Sequence, residues 1–319
     1  MTTSAAILVR RFGGPEVLEP AEIEVRSPGP GEVAIEVEAA GVTFVETQQR
    51  GGRPPRPEML PYLPWVPGNG VAGTVVELGE GVEPELLGTL VVSATGGAGG
   101  YAARAVVAAD APIPIPAELS VEAAVALLAD GRTATRLIES ATIEPGERVL
   151  IEAAAGGVGS LLVQLARLAG ATVVAAAGGE RKLEVAKSLG ATEVVDYSRP
   201  GWSEGVEPVD VVLDGVGGEV AASAFALLRP GGRYLPFGAA GGSFGPVDRD
   251  DADARDIAIV ASGPPSPAEN RLLAERALAT SASGRLRPLI GQRLPLGEAE
   301  EAHRAIEARE TVGKTVLLV

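Results

Sequence analysis

The chain of 319 residues contains no cysteine. It can therefore form no disulfide, no thiolate nucleophile and no zinc or iron–sulfur site with cysteine ligands. Histidine is nearly absent as well, because His303 is the only one, and one histidine cannot build a multi-histidine metal site. Since His303 falls in a charged, helix-like segment, 297–309, we expect it to be exposed or half-buried. Histidine-based catalysis, a zinc-dependent mechanism and any metal site are disfavoured.

Basic residues are outnumbered, with 27 lysines and arginines against 42 acidic residues and a net charge of −15. A chain of this charge lacks the clustered cations that bind nucleic acid. No apolar run approaches the ~18 residues of a membrane span. The apolar stretch Ala5–Val9 comes before two arginines, which is the reverse of a signal peptide. We expect a cytoplasmic protein that begins with a strand and binds neither nucleic acid nor a membrane.

The residues that are present follow two contrasting patterns. The first hundred carry short alternating runs, such as Glu32–Glu38 and Val71–Glu77, broken by glycine and proline, which is typical of a β domain. The stretch Gln48–Trp65 is rich in arginine and proline, and we expect no regular structure there. From Arg148 onward strands alternate with helices, which favours a doubly wound parallel sheet. Its strands are predicted at Arg148–Ala153, Thr172–Ala177, Glu193–Tyr197, Val209–Asp214, Arg233–Phe237 and Ile257–Ala261.

One turn of this second region carries a chemical signal. The strand Arg148–Ala153 runs into Ala154–Gly159 (AAGGVG). Glycines in such a turn let backbone N–H groups approach a pyrophosphate, and the helix that follows adds partial positive charge at its N-terminus. That helix is expected to bury Leu161, Leu165 and Leu168 as one stripe. Although alanine stands at position 154 in place of the usual first glycine, the pattern predicts a dinucleotide site.

The end of the second predicted strand distinguishes NAD from NADP. NAD sites carry an acidic residue there for the ribose 2′-hydroxyl, whereas NADP sites offer positive charge for the 2′-phosphate. Here Ala177 holds the acidic position, and Arg181 and Lys182 begin the next helix. Tyr197 adds a hydroxyl on the same side, while Glu180 is the one group that could serve NAD instead. We expect NADPH; the alternative is that both cations are ordinary solvated surface.

Further segments, spread over nearly the whole chain, form an ordered series. They are Gly41–Glu46 (GVTFVE), Val66–Gly73 (VPGNGVAG), Gly131–Ala134 (GRTA), Val149–Gly159 (VLIEAAAGGVG), Asp210–Gly218 (DVVLDGVGG), Gly231–Gly238 (GGRYLPFG) and Gly313–Leu318 (GKTVLL). In this order and spacing they resemble the medium-chain dehydrogenase/reductase superfamily, and within it the zinc-free quinone oxidoreductase (zeta-crystallin-like) and enoyl reductase branch.

The resemblance implies an α/β fold with a GroES-like β domain and a doubly wound parallel-sheet Rossmann domain. We place the GroES-like catalytic domain at 1–118, the Rossmann NADP-binding domain at 119–262, and a return segment that completes the catalytic domain at 263–319. A homodimer joined through the Rossmann sheets is also implied. Zinc-dependent relatives place metal ligands at positions that here hold Thr43, Asn69 and Asp130, a set that makes no plausible zinc site.

The same resemblance implies three groups of cofactor-binding residues, with Arg309 in the last helix as a further candidate. The group around the pyrophosphate is Gly156, Gly157, Val158 and Gly159, to which the turn itself adds Ala155. The group around the 2′-phosphate is Gly179, Lys182 and Tyr197, to which the charge argument above adds Arg181. The group beside the nicotinamide is Phe237 and Gly238.

The chain departs from this family around the expected substrate site. Thr43 stands where relatives have asparagine, Glu46 where they have aspartate, and Gly70 where they have glutamate. Enoyl reductases of the branch are thought to use a tyrosine as proton donor, but Pro54 occupies its position. Tyr62, in the same loop, either replaces the missing hydroxyl or simply packs against its neighbours. The catalytic candidates are Thr43, Glu46 and Tyr62.

These features predict a zinc-independent, NADPH-dependent reductase that transfers hydride to a quinone or an activated α,β-unsaturated carbonyl. Hydrogen-bond donors, Thr43 among them, must then stabilise the developing oxyanion. The lost tyrosine favours quinones, because their reduced oxyanion is resonance-stabilised and can take its proton from water. One alternative is an enoyl-thioester reductase of polyketide or fatty-acyl metabolism. The other is a non-catalytic NADPH-binding protein with a regulatory or scaffold role.

Overall fold

The computed structural model describes residues 2–245, 247–260, 263 and 265–319. The chain forms two compact units, Met1–Ala129 with Ala274–Val319, and Asp130–Leu273. The domain boundaries predicted at 118/119 and 262/263 stay predictions. Ser262, at the second boundary, and Ala261, at the end of the last predicted Rossmann strand, lie outside the described residues.

The described residues form fifteen strands and eight helices. The strands are β1 (Thr2–Leu8), β2 (Glu19–Val25), β3 (Glu32–Val42), β4 (Gly70–Leu78), β5 (Leu90–Ala94), β6 (Arg104–Ala108), β7 (Ile113–Pro114), β8 (Arg148–Ile151), β9 (Thr172–Ala177), β10 (Glu193–Asp196), β11 (Val209–Asp214), β12 (Leu228–Pro236), β13 (Ala258–Ile259), β14 (Ile290–Pro295) and β15 (Lys314–Leu318). The helices are α1 (Phe44–Arg50), α2 (Val121–Ala141), α3 (Gly157–Leu168), α4 (Glu180–Ser188), α5 (Gly218–Ala226), α6 (Arg249–Ala254), α7 (Pro267–Ala282) and α8 (Ala299–Glu307). Within these ranges, no helix combines the length and the apolar character needed to cross a bilayer.

The first unit is built around a seven-stranded sheet in the order β14-β15-β3-β4-β5-β7, with β6 also paired to β3. β1 and β2 form a separate antiparallel pair. Strand β3 is the centre of the sheet, since it pairs with β4, β6 and β15, and its Val33 and Ile35 are fully buried in the core beside Trp65. The C-terminal strand β15 runs antiparallel to β3, so the end of the chain lies in the sheet of the first unit.

The second unit contains a six-stranded sheet in the order β10-β9-β8-β11-β12-β13, and every pair in it is parallel. Counted within the unit, this is the doubly wound order 3-2-1-4-5-6. Strands β9 and β11 are buried along almost their whole length, as in parallel sheets that are covered on both faces. The strand order reverses at β8, and ligands of such sheets bind outside the carboxyl ends of the strands at that point.

Three local predictions differ from the structure. The segment 48–65, expected to be irregular, begins inside α1 and contains a 3₁₀ turn at Pro57–Met59. Leu168 is 52% exposed, because the buried face of α3 runs through Leu161, Leu162 and Ala166 instead. Strand β14 is absent from the prediction, because a glycine and a proline interrupt its strand pattern.

Candidate active site

The glycine-rich turn lies between β8 and α3, at the carboxyl edge of the sheet where the strand order reverses. Ala153 takes up the left-handed conformation, with a φ of +48°. Its carbonyl oxygen accepts the Gly156 N–H at 2.8 Å, which closes the turn. The Ala154 N–H donates to the Ala176 carbonyl oxygen of β9 at 3.1 Å. The turn is therefore fastened to the neighbouring strand.

Position 159 in this turn requires glycine. A Cβ atom on Gly159 would lie 2.1 Å from the Ala153 carbonyl oxygen, so no side chain fits unless the backbone moves. The helix thus starts directly against the turn, and its first N–H groups have no partner inside the helix. Such groups suit a phosphate. The predicted pyrophosphate residues that lie together here are Ala155, Gly156, Gly157, Val158 and Gly159.

A second set of predicted residues meets at the end of β9. Gly179 is the N-cap of α4 with a φ of +84°, and an added Cβ there would meet no described atom within 4 Å. The Tyr197 ring borders the adjacent Gly178, 3.3 Å from where a Cβ would stand. Lys182 is half-buried in the first turn of α4, whereas Arg181 is exposed. The set offers a phenol and two cations beside open space, which suits a phosphate.

One acidic residue outside the predicted site, Asp196, also lies here. Its Oδ1 accepts the Gly179 N–H at 3.1 Å and the Ser198 N–H at 3.0 Å, and its Oδ2 lies 3.2 Å from the Arg199 guanidinium. The carboxylate thus holds the backbone turn before α4.

The loops after β11 and β12 reach the same edge of the sheet, because these strands are parallel to β8 and β9. The N–H groups of Phe237 and Gly238 donate to the Asp214 carbonyl oxygen at 2.8 and 3.2 Å. The Phe237 ring lies against Gly215, 2.6 Å from where a Cβ would stand. The predicted nicotinamide residues therefore hydrogen-bond to the end of β11 and pack against the loop that follows it.

A buried pair of acids lies at this edge, and neither acid was among the predicted site residues. Glu152 follows β8 and Asp214 ends β11, and both are fully buried. Asp214 Oδ1 accepts the N–H groups of Val216 at 2.9 Å and Gly217 at 2.7 Å. Its Oδ2 accepts the Tyr234 hydroxyl at 2.5 Å. Burial, reinforced by the hydrogen bond and charge of Asp214, raises the pKa of Glu152 to about 10, so Glu152 is a neutral acid at physiological pH.

In the first unit, the Glu46 carboxylate accepts hydrogen bonds from the predicted residue Thr43 and from two residues that were not predicted to be catalytic, Asn69 and Tyr101. Its Oε2 accepts the Thr43 N–H at 2.7 Å and the Tyr101 hydroxyl at 3.0 Å. Its Oε1 accepts the Asn69 N–H at 2.9 Å. Burial raises the pKa of Glu46, while these three donors and the charge of Lys314 act against the rise. Glu46 thereby fixes the backbone at Thr43.

The expected exposure of His303 is wrong, because this residue is fully buried. Its Nε2 lies 3.0 Å from the Tyr101 hydroxyl, and burial, followed by the charge of Arg50, lowers its pKa to about 3. His303 is therefore neutral. The charged residues around it in the sequence misled the prediction, since the helical period places His303 with Ala299 and Ala302 on the buried face of α8.

Two further predicted residues, Arg309 and Tyr62, belong to the first unit. Arg309 follows α8 in the first unit, where it is exposed and has a φ of +58°. Tyr62 is 96% exposed, so the expectation that it packs against its neighbours is wrong. Its role as a proton donor stays a hypothesis. Pro54 is half-buried in the same loop.

The positions that the resemblance gives to zinc ligands hold other contacts. Asn69 Oδ1 accepts the Gly97 N–H at 2.7 Å, and its own N–H is bound by Glu46. In the part of the chain that the structure describes, no group of three or more histidine, cysteine, aspartate or glutamate side chains is placed to hold a metal ion.

The chain is similar to known proteins along nearly all of its length. Residues 29–117 match the alcohol dehydrogenase GroES-like domain, and residues 189–317 match the zinc-binding dehydrogenase family. A quinone oxidoreductase of Sus scrofa is 34% identical over 99% of this chain and 98% of its own. A 2-haloacrylate reductase of a Burkholderia species is 32% identical over 98% of each chain. Escherichia coli quinone oxidoreductase complexed with NADPH has a TM-score of 0.89 at 29% identity, over 99% of this chain and 100% of that one.

These likenesses span both units, so the predicted fold class, a GroES-like β domain with a doubly wound Rossmann domain, is confirmed. The predicted resemblance is confirmed with it. The chain belongs to the quinone oxidoreductase family of the medium-chain dehydrogenase/reductase superfamily.

Proposed function

We propose that this protein is a zinc-independent reductase that uses NADPH to reduce a quinone or an activated α,β-unsaturated carbonyl. The observation that carries the proposal is the turn between β8 and α3, where Gly159 lies against the Ala153 carbonyl at the reversal of the strand order. Two relatives support it: one is a quinone oxidoreductase complexed with NADPH, and the other is named as a reductase of a conjugated acid.

The residues of this chain fit NADPH in three places. The backbone of Ala155–Gly159 would hold the pyrophosphate. Lys182, Arg181 and the Tyr197 hydroxyl would bind the 2′-phosphate beside the Gly179 N-cap. The loop with Phe237 and Gly238 would receive the nicotinamide, and Arg309 stays a further candidate for cofactor binding.

When bound, NADPH supplies the hydride for the reduction. The protein must orient the electrophile and stabilise the oxygen on which negative charge develops. We assign that stabilisation to the Thr43 hydroxyl. The Thr43 N–H already donates to Glu46 at 2.7 Å, so the hydroxyl is the group of Thr43 that would donate to the substrate oxygen. Glu46 then serves to position Thr43.

The reduction also needs one proton. Pro54 occupies the position of the family's tyrosine, and Tyr62 is 96% exposed. We propose that water supplies the proton, which is sufficient for the resonance-stabilised oxyanion of a quinone. Unchanged turnover in Tyr62→Phe would support this, whereas a loss of about 100-fold would assign the proton to Tyr62.

NADPH oxidation with a panel of acceptors tests the function. The acceptors are an ortho-quinone, a 2-haloacrylate, a crotonyl thioester and none, each with and without a metal chelator. We expect turnover with the quinone or the haloacrylate, and no effect of the chelator. Turnover with the thioester alone would replace the proposal by enoyl-thioester reduction. NADPH binding without turnover on any acceptor would indicate a non-catalytic binding protein.

We also propose a cytoplasmic homodimer joined through the Rossmann sheets. Within the described residues, β10 and β13 are the edge strands of this sheet, and an edge strand offers unpaired N–H and C=O groups to a second chain. Analytical ultracentrifugation should give a mass of twice the chain. A monomer at micromolar concentration would contradict this part of the proposal.

A further inference from the structure

The acid pair Glu152 and Asp214 is not used by the proposed reaction, yet it lies where the cofactor loops begin. The two residues follow or end neighbouring strands, β8 and β11. Both are fully buried, and the described residues place no cation in an ion pair with either one. Two adjacent buried acids do not both ionise at neutral pH. One of them must therefore keep a proton.

The hydrogen-bond pattern identifies which acid is protonated. Asp214 accepts three donors, spread over both of its oxygens. Glu152 Oε2 accepts the Val216 N–H at 3.2 Å, but no N–H or O–H of the described chain reaches Oε1. A buried oxygen without a donor is costly, whereas a protonated Glu152 can donate to Asp214. The proton therefore belongs to Glu152, in agreement with its raised pKa.

This pair connects two loops. The Asp214 side chain holds the N–H groups of Val216 and Gly217, and its carbonyl oxygen accepts the Phe237 N–H at 2.8 Å. The Gly241 N–H donates to the Val216 carbonyl oxygen at 2.6 Å. Any movement of Asp214 would therefore displace both loop 215–218 and loop 237–241.

We propose that Glu152 is a positioning residue for the cofactor, because the proton that it shares with Asp214 holds loops 215–218 and 237–241 in the arrangement that receives the nicotinamide. This inference rests on the proposed NADPH site. When Glu152 loses its proton, two buried carboxylates repel each other and the loops are displaced. NADPH binding should weaken as a result.

The groups that can influence this titration are few. Asp214 on β11 and Tyr234 on β12 face the pair, and the Tyr234 hydroxyl donates to Asp214. Strand β9 contains no titratable residue. Three titratable residues in the first turns of the helices that follow this edge are exposed, namely Glu180 and Arg181 on α4 and Glu219 on α5, and Lys182 on α4 is half-buried. The one titratable residue of α3, Arg167, lies in the last turn of that helix and is exposed.

The first experiment measures the NADPH dissociation constant by fluorescence from about pH 7.5 to about pH 10.5. Glu152→Leu should weaken binding about tenfold at the lower pH, because it removes the donor to Asp214. Glu152→Gln keeps a donor that does not titrate, so it should largely rescue binding. Over the pH range the wild type should lose about tenfold more affinity than Glu152→Gln. Glu204→Gln, an exposed change in the same unit, should follow the wild type; parallel curves for wild type and Glu152→Gln would overturn the inference.

The second experiment needs no cofactor. An infrared difference spectrum of wild type against Glu152→Gln at about pH 7.5 should show the C=O band of one protonated carboxylic acid. A carboxylate band in its place would overturn the shared proton. If that acid band is present but the wild type binds no NADPH at any pH, the proposed function and the positioning role both fail, while the shared proton stands.

Discussion

Each unit buries a glutamate, and the two are surrounded in opposite ways. Glu46, in the first unit, accepts two backbone N–H groups and the Tyr101 hydroxyl, with Lys314 nearby. Glu152, in the second unit, accepts one N–H and lies against Asp214. They are 2% and 0% exposed. Burial is therefore not what separates them, and the difference lies in their neighbours.

The two glutamates differ in the groups that oppose or add to the effect of burial on their pKa. Burial raises the pKa of both glutamates. At Glu46 four groups oppose the rise, whereas at Glu152 one N–H opposes it and Asp214 adds to it. The first setting suits a carboxylate and the second suits a neutral acid. The same Glu→Gln change should therefore have opposite effects on the two units.

The largest expected effect is that of Glu152→Gln on stability. Folded Glu152 keeps its proton up to a pH of about 10, whereas the unfolded chain releases it near 4.5. Folding thus binds a proton across this window, and the unfolding free energy of the wild type falls as pH rises. The variant lacks this term. Urea unfolding should show the variant gaining about 1.4 kcal/mol over the wild type per pH unit between about pH 6 and about pH 9. A gap that stays constant with pH would mean that Glu152 is ionised in the folded protein.

Next in size is the loss expected for Glu46→Gln. In the variant an amide NH₂ group replaces one of the two carboxylate oxygens. That NH₂ group would face the N–H of Thr43 or of Asn69, so two hydrogen-bond donors would meet in a buried contact. The unfolding free energy should fall by about 3 kcal/mol near neutral pH. Glu36→Gln, an exposed change on β3, should shift it by less than about 0.5 kcal/mol. Equal losses of unfolding free energy in Glu46→Gln and Glu36→Gln would show that the buried Glu46 is not held as a carboxylate by its donors.

Smaller effects should come from removing one hydroxyl in each unit. Tyr101→Phe takes a donor from Glu46 and a partner from His303, so we expect a loss of about 2 kcal/mol in thermal or urea unfolding. Tyr234→Phe takes one of three donors from Asp214, and we expect about 1 kcal/mol. The reverse order would show that the network around Asp214 is the more tightly coupled one.

The smallest expected effect is at Lys182, which is only half-buried, in contrast to both glutamates. Lys182→Ala should weaken NADPH binding about fivefold, near 1 kcal/mol, and leave NADH binding unchanged. Lys187→Ala, at an exposed position in the last turn of the same helix, is the matched control. An equal loss of NADPH and NADH affinity in Lys182→Ala would mean that Lys182 does not bind the 2′-phosphate.

The parts of the fold that were predictable are those encoded locally. The predicted strands Thr172–Ala177 and Val209–Asp214 coincide with β9 and β11, because short apolar runs bounded by glycine-containing turns specify buried parallel strands. The turn at Ala154–Gly159 is predictable for the same reason, since its whole motif lies within a few consecutive residues. The position of the turn at the strand-order reversal then follows from the topology.

The buried polar networks were not predictable, because their partners are far apart in the sequence. Glu152 meets the Val216 N–H across 64 residues, and Tyr101 meets His303 across 202. One signal was available for Glu152, an acid that closes the otherwise apolar strand segment VLIE. His303 offered none, because its charged neighbours in the sequence project from the other face of α8.

We propose that the second unit binds NADPH through the turn before α3 and the set of residues around Gly179. Titration of the wild-type protein with NADPH and with NADH at about pH 7.5, followed by fluorescence, tests it most directly. We predict that NADPH binds about tenfold more tightly than NADH, because we propose Lys182, Arg181 and Tyr197 as the residues that bind its 2′-phosphate. Equal affinity for the two cofactors, or tighter binding of NADH, would contradict the account.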